Sequence, residues 1–487
     1  MKKYLLEITT FIAGATGMII ELVASRILSP YLGNSNLIWT CIIGMMLAFM
    51  SLGYFIGGKL SDKHPKRNLL SLFLLNSATF ISLIPMIEIY AIEPISKTNL
   101  NLSLIAIICS TITFGIPSMF LATASPFAVK LKDKDLEKIG GVSGRMSALS
   151  TIGSIVGTFL AGFVLIPKLG VKNIILLVVI VLVILSYLIY EDKDIKYTIK
   201  IIATLVILVS LVLVGKKMFL KKHEDMILDT DSEYSRIWIK KFTNNSGKEY
   251  NTLEVDKGYE SIASGEKNLT ADYLKYYDLF NYYQENTENV LMIGGAAYTY
   301  PSYFLEQYKD KKIDVVEIDS KMTELAEKYF DLNTQNENLN IYHEDGRRYI
   351  NTTQNKYDCI LIDAFKGLNV PFQLTTEEAL IQAKRNLNEN GIVITNIISA
   401  LDGKNANFIK YEYATYKKVF KDVKIFKVQN GMFNDDELQN LILVGFKGNA
   451  IEKNAEYNKY KNLLKNEVLD FSSDKNVVTD ELCPVGV

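Results

Sequence analysis

The sequence predicts a multi-span α-helical membrane domain, then a small β-hairpin unit, then an α/β domain built on a mostly parallel sheet. Three observations predict this. Long apolar runs fill the chain up to about residue 215. Beyond them it turns polar and rich in Asn, Lys, Glu and Tyr. From residue 289 onward, short apolar strands alternate with helical segments, the pattern of a parallel sheet with covered faces.

At 487 residues the chain is long enough for two or more domains. The expected divisions are a helical membrane domain at 1–217, a linker and small β-unit at 218–268, and the α/β domain at 269–487. A formal net charge of −1 directs nothing toward nucleic acid or another polyanion. The four cysteines, Cys41, Cys109, Cys359 and Cys483, form no C-x-x-C pair, so neither a disulfide framework nor a zinc site is expected. His64, His223 and His343 are scattered over unlike segments, so no metal is expected either. The apolar run after the first ten residues is too long for the core of a cleavable signal.

A helix needs roughly 20 apolar residues to cross a bilayer. Spans are expected near 5–28, 37–58, 69–91, 102–127, 143–166, 172–190 and 198–215. Pro117 predicts a kink in the fourth. Gly153 and Gly157 give the fifth a small-xxx-small face for close packing. Glu21 and Arg26 stand out in the first span, because ionisable groups are expensive in a bilayer. They read either as functional groups or as a structural carboxylate and an arginine reaching the interface. The loops with Lys59, Lys63, Lys66 and Arg67, and with Lys130, Lys132, Lys134 and Lys138, mark one cytoplasmic side. Seven crossings then conflict with Lys216, Lys217, Lys221 and Lys222, which place the C-terminal domain on that same side. A plasma-membrane protein with a cytoplasmic soluble domain is expected, so one span must be miscounted, re-entrant or split.

In the polar half, 234–241 and 249–256 alternate apolar and polar residues around Asn244-Asn245-Ser246-Gly247, which reads as a β-hairpin. Residues 258–264 supply a third strand, and 269–284 an aromatic-rich helix. Strands follow at 289–294, 313–319, 339–343, 357–363, 391–397, 423–428 and 441–446. Helices fall at 299–309, 320–330, 346–351, 376–387 and 406–420.

Open parallel sheets bind ligands at the carboxyl ends of their strands. Four features fall there. Gly294-Gly295-Ala296-Ala297 follows the first strand, and small residues let backbone approach a ligand closely. Glu317 ends the second strand, at the spacing of one β-turn-helix-β unit, where a carboxylate accepts ribose hydroxyls. Asp345-Gly346 follows the third, where Asp345 can accept from an adenine amino group. Asp363 ends the fourth. Any one acid could simply cap a helix, but together they form the pattern of an adenosyl-sulfonium site. Asp319 is expected to cap the next helix, and Tyr298 and Tyr300 to pack in the core.

These residues resemble the spermidine synthase family of aminopropyltransferases, in the bacterial form that carries an N-terminal multi-span membrane domain. The resemblance rests on Val-Asp-Lys-Gly-Tyr-Glu-Ser (255–261), Tyr-Leu-Lys-Tyr-Tyr-Asp-Leu (273–279), Ile-Gly-Gly-Ala-Ala-Tyr (293–298), Val-Glu-Ile-Asp (316–319), Asp-Gly-Arg-Arg-Tyr (345–349), Tyr-Asp-Cys-Ile-Leu-Ile-Asp-Ala-Phe (357–365) and Val-Thr-Asp-Glu-Leu-Cys-Pro-Val (478–485). In the membrane half it rests on Glu21, Arg26, and Gly144-Arg145 with Gly153, Gly157, Pro167 and Gly170.

The resemblance implies a Rossmann-like domain of the class I S-adenosylmethionine-methyltransferase type. It implies transfer of an aminopropyl group from decarboxylated S-adenosylmethionine to a polyamine acceptor such as putrescine, and it is compatible with a homodimer. Gly294, Gly295, Glu317, Asp345 and Gly346 would bind the donor, Asp363 would be the catalytic carboxylate, and Tyr276 and Asp278 would fall on the acceptor side. Two positions depart from the family pattern. Ala297 stands where the family has an Asp that contacts the donor's amine, and Lys366 replaces a second Asp of the catalytic segment. Two alternatives therefore stay open: a methyltransferase using S-adenosylmethionine on a hydrophobic or membrane-delivered acceptor, and a polyamine transporter or sensor with a non-catalytic nucleoside-binding domain. Thr479-Asp480-Glu481 reads as either a family element near the active site or a frayed end.

Overall fold

The computed structural model describes the chain apart from residues 1–3, 34–35, 99, 133–138, 193–198, 200, 203–204, 207–208, 212, 215–224, 244–246, 248, 257–258, 264–268, 270, 285, 365–370, 430, 451, 453–455 and 482–487. It divides into two compact units, Met1–Ile237 and Trp238–Val487.

Among its described residues the first unit holds six helices long and apolar enough to cross a membrane: α1 (Leu5–Leu32), α2 (Asn36–Lys63), α3 (Arg67–Ser96), α4 (Leu102–Lys132), α5 (Gly140–Leu169) and α6 (Val171–Ile189). They cover the first six expected spans. The seventh, 198–215, lies in part outside the described residues, and those described within it are helical. Three of the helices are interrupted by a π-helical turn: Glu88–Ile92, Thr111–Gly115 and Ala161–Leu165. Each ends two residues before a proline, at Pro94, Pro117 and Pro167. Proline lacks an N–H and crowds the preceding turn. A wider π turn absorbs that mismatch without ending the span. The kink expected at Pro117 takes this form.

Close packing joins α1 to α5. A Cβ at Gly153 would collide with the Phe11 carbonyl, and one at Gly157 with the Ala15 carbonyl, so only glycine allows the approach. At one end of the unit, strand β1 (Met226–Asp231), which the sequence pattern did not reveal, brings Asp229 to a buried charge cluster. The Arg236 side chain, 3% exposed, reaches Glu88 Oε1 on α3 at 2.7 Å and Asp229 Oδ1 at 3.0 Å. Lys172 Nζ lies 2.6 Å from Asp229 Oδ2, and Tyr31 Oη donates to Glu88 Oε1 at 3.2 Å. Asp231 Oδ2 accepts the Val171 N–H that opens α6, at 2.9 Å. Burial pushes the Asp229 carboxyl up, but the charges and hydrogen bonds of Arg236 and Lys172 outweigh it and hold the group below its ordinary range. Arg26 donates to the Glu233 carbonyl.

The division between the units falls within β2 (Arg236–Thr243) of a small sheet ordered β1-β2-β3-β4. Here β3 is Glu249–Val255 and β4 Tyr259–Ala263, paired antiparallel. These are the expected hairpin and its third strand. The expected aromatic helix is instead a 3₁₀ segment, Asp272–Leu279, running into one α turn, Phe280–Tyr283. Leu274, Tyr276, Tyr277, Leu279, Phe280, Tyr282 and Tyr283 are all buried. An α-helix with a single apolar stripe could not bury so nearly continuous a run.

The second unit is built on a seven-stranded sheet ordered β10-β11-β9-β8-β5-β6-β7. Its strands are β5 (Asn289–Ile293), β6 (Lys312–Val316), β7 (Leu339–Tyr342), β8 (Tyr357–Ile362), β9 (Leu387–Ser399), β10 (Asp422–Lys427) and β11 (Gln439–Phe446). Strands β5 to β9 pair in parallel, and β11 runs antiparallel to both β9 and β10. Helices α7 (Thr299–Gln307), α8 (Ser320–Tyr329), α9 (Gly346–Thr352), α10 (Glu377–Asn386) and α11 (Asn407–Val419) connect them, and α12 (Tyr457–Leu464) follows. Side chains alternate between two cores. Val290 and Met292 of β5 pack with Ile313 and Leu361, while Leu291 and Ile293 pack with Val316 and Ile362. This is a Rossmann-like doubly wound sheet. Because β5 pairs with β6 on one edge and β8 on the other, the chain reverses direction there, and a crevice opens at the strand ends.

Arg236→Ala would leave Asp229 and Glu88 buried without their shared partner. Breaking a buried pair in this way costs roughly 3–5 kcal/mol. A clear fall in the melting temperature of the detergent-purified chain is expected, and an unchanged one would show that the cluster is not structural.

Candidate active site

Strand β5 ends at the switch point, and the chain turns at once. Gly294 takes φ +95°, and a Cβ on it would strike the Asp363 carbonyl. A Cβ on Gly295 would meet the Tyr298 ring at 2.7 Å. Ala296 and Tyr298 hold positive φ as well, +46° and +55°. Such a turn has to be held, and Glu317 holds it. Its Oε2 accepts the Gly295 and Ala296 N–H groups at 2.8 and 3.0 Å, and its Oε1 accepts the Asp319 N–H at 2.9 Å. Burial pushes the Glu317 carboxyl up from its ordinary value, against the pull of those three donors.

Asp345 caps α9 through the Arg348 N–H at 2.9 Å and keeps its other oxygen out of that bond. Gly346 packs against β5, where a Cβ would meet Ile293 Cγ2 at 2.5 Å. Asp363 follows β8, and its N–H bonds the Ile293 carbonyl at 2.9 Å. Asn396 Nδ2 donates to Asp363 Oδ1 at 3.2 Å. Burial pushes the Asp363 carboxyl up, while Asn396 and the hydroxyls of Tyr277 and Tyr273 favour its ionised form. Asn396 Oδ1 and Tyr277 Oη are buried and complete no hydrogen bond of normal geometry among the described residues. Buried polar atoms left this way mark a place where another polar group belongs.

The structure thus gathers Gly294, Gly295, Glu317, Asp345, Gly346 and Asp363 around the strand ends. It does not bring Tyr276 and Asp278 to them. Tyr276 Oη donates to the Lys427 carbonyl at 2.9 Å and accepts from Asn466 at 2.8 Å. Asp278 spends its two oxygens on Tyr300 Oη and Tyr303 Oη, each at 2.9 Å. Both are committed to the interior. Tyr273 and Tyr277 stand beside Asp363 in their place, with ring centroids 5.9 Å apart. Their i,i+4 spacing was the available signal. Asn396, in the middle of an apolar strand, gave another. Asp319 caps α8 and Tyr298 and Tyr300 are core residues, as expected. Ala297 is 1% exposed and brings no charge to the turn. Lys366 lies outside the described residues.

The C-terminal segment is docked rather than frayed through Asp480. Glu377 N–H bonds the Val478 carbonyl at 2.8 Å, and Val478 is fully buried. Asp480 accepts from Thr376 at 2.7 Å and from Arg347, next to Gly346, at 2.8 Å.

Comparison with known proteins gives a domain match in this part of the chain. Residues 278–430 match the spermine/spermidine synthase domain. The chain is 34% identical over 144 residues to a polyamine aminopropyltransferase of Vibrio vulnificus (strain CMCP6), covering 29% of this chain and 46% of that one. It is 26% identical over 182 residues to a probable polyamine aminopropyl transferase of Bifidobacterium longum (strain NCC 2705), covering 37% and 40%. The chain therefore spans less than half the length of these two relatives. A longer match, 23% identical over 414 residues, covers 80% of this chain and 78% of polyamine aminopropyltransferase 2 of Aquifex aeolicus (strain VF5). Among solved structures, a probable spermidine synthase from Corynebacterium glutamicum ATCC 13032 is similar at 19% identity and a TM-score of 0.43, covering 53% of this chain and 98% of that one. The C-terminal part of this chain matches the spermine/spermidine synthase domain, and six apolar helices precede it among the described residues.

Proposed function

We propose that the chain is a membrane-anchored aminopropyltransferase, moving an aminopropyl group from decarboxylated S-adenosylmethionine to an amine such as putrescine. The observation that carries the reading is Asp363: a half-buried carboxylate at the switch point, flanked by tyrosine hydroxyls and an unsatisfied Asn396 oxygen. The domain match and the aminopropyltransferase relatives support it.

The chemistry fits these groups. An aliphatic ammonium has a pKa near ~10 and cannot attack until it loses a proton. Asp363 accepts that proton or orients the amine, and its charge stabilises the cation that remains. The amine nitrogen bonds to the aminopropyl carbon beside the sulfonium. The carbon–sulfur bond breaks, its electron pair stays on sulfur, and methylthioadenosine leaves. Glu317 has three of the roughly four acceptor sites of a carboxylate taken by the turn. It accepts one ribose hydroxyl directly, and a second by displacing a turn N–H. Asp345, half-exposed, accepts from the adenine amino group in this reading. Tyr273 and Tyr277 supply aromatic faces suited to a cationic acceptor.

The six helices anchor the chain in the plasma membrane. Six crossings put the loops after α2 and α4, and the chain after α6, all on the starting side. That arrangement agrees with the basic residues and sets the soluble unit in the cytoplasm, provided 198–215 adds no crossing. Ala297 favours a second reading. Without a carboxylate there, intact S-adenosylmethionine keeps its own carboxylate without repulsion, and methyl transfer becomes feasible.

The full chain, given decarboxylated S-adenosylmethionine and a panel of diamines, is expected to yield methylthioadenosine and an elongated polyamine by mass spectrometry. S-adenosylhomocysteine from S-adenosylmethionine would instead select methyl transfer, and no turnover with any diamine would reject the first reading. Asp363→Asn should lower kcat by about 10²–10⁴-fold while donor binding persists. Burial raises the Asp363 pKa, so its ionised form, and with it activity, is lost as pH falls through that raised value. The acid limb of kcat/KM should therefore lie above the ordinary aspartate value of about 4. A limb at or below it would contradict this role.

A further inference from the structure

The helical unit contains a cavity of about 120 Å³ between α1, α2, α4 and α5. That is room for roughly four water-sized groups. Ala13, Met50, Leu121 and Ala122 give the lining apolar surface, and Ser and Thr residues of α1, α4 and α5 add hydroxyls. No Lys, Arg, Asp or Glu lines it.

Three of these hydroxyls have a definite polarity. Thr10 Oγ1 donates to the Leu6 carbonyl at 3.0 Å, Thr151 Oγ1 to the Ser147 carbonyl at 3.0 Å, and Ser154 Oγ to the Gly14 carbonyl at 3.3 Å. A hydroxyl has a single hydrogen. With that hydrogen spent on the backbone, each oxygen offers only lone pairs to a ligand. Ser118 Oγ, on a residue 1% exposed, lines the same cavity with no hydrogen-bond partner among the described residues. Leaving a buried hydroxyl unsatisfied is costly, and a bound polar group would supply its partner.

Beside this acceptor-rich lining stands a carboxylate. Thr10, Ala13, Gly14 and Gly17 are the α1 residues on the cavity, and Glu21 follows Gly17 by one turn on the same face. Among the described residues Glu21 has no hydrogen bond or ion pair. Its neighbour along the helix, Arg26, is committed to the Glu233 carbonyl. A carboxylate in a membrane helix without a protein partner calls for a cation. We infer that the cavity is a binding site for a small aliphatic ammonium, its N–H groups donating to the hydroxyl oxygens and Glu21 balancing its charge, and its methylenes lying on the apolar surface.

This site is separate from the strand ends and does not depend on the transferase reading. Its test uses the full chain in detergent with Asp363→Asn, which silences the other amine site, and radiolabelled 1,4-diaminobutane as probe. Saturable binding of about one amine per chain is expected, with 1,4-butanediol a poor competitor. A Cβ at Gly17 would meet nothing within 4 Å, so Gly17→Leu should fill the cavity without disturbing the helices. It and Glu21→Gln should each weaken binding at least tenfold, and Ser118→Ala should weaken it several-fold. In an otherwise native chain, the first two should leave donor binding at the soluble unit unchanged, which controls for folding. Absence of binding in the Asp363→Asn chain, equal competition by the diol, or binding unmoved by Glu21→Gln and Ser118→Ala would each overturn the proposal.

Discussion

The Glu317 carboxylate is the interaction on which the soluble unit's site depends. A turn with positive φ at Gly294, Ala296 and Tyr298 is strained in any chain, and here it must also pass close to Asp363. One buried carboxylate, fixed at the end of β6, satisfies two N–H groups of that turn and one of the next. The bonds shape the crevice between β5 and β8. They also keep a negative group at its floor, where a ribose would lie. The same residue holds the turn and, in the proposed reading, the ribose, and three backbone N–H donors offset the cost of its burial.

The helical unit meets a related constraint differently. Its polar backbone must be satisfied within each helix if it lies in lipid. Pro94, Pro117 and Pro167 each strain that rule, and a π turn just before each one absorbs the strain. One of those turns carries Glu88, which is then held by Arg236 rather than left bare. Glycines at 14, 153 and 157 bring α1 and α5 to backbone contact, and the hydroxyl-lined cavity lies along the same pair. Close packing on one side of α1 and a polar opening beside it come from the same small residues.

Much of the second unit was legible in the sequence, because most of its strands are short apolar runs and four of them are followed by Gly294, Glu317, Asp345 and Asp363. Glu317, Asp345 and Asp363 could be placed by spacing alone. The phase of 273–284 could not. With aromatics on every side, nothing marks which tyrosine faces Asp363, and the 3₁₀ turn shifts the register from Tyr276 to Tyr273 and Tyr277. β1 was hidden because Met226–Asp231 shows no alternation and is evenly half-buried. Arg236 falls inside the expected hairpin, where nothing in the pattern sets it apart. Its importance lies in partners far away in sequence, at Glu88 and Asp229, which no local pattern announces.

The central claim is that an adenosyl group sits on the Glu317-held turn. Calorimetric titration of methylthioadenosine into the full chain and into Glu317→Gln tests it most directly. One site per chain is expected in the native protein, with affinity falling about 10–100-fold in the variant as a charged hydrogen bond worth roughly 1.5–3 kcal/mol is lost. Equal affinity in both chains, or no binding to the native one, would contradict the account.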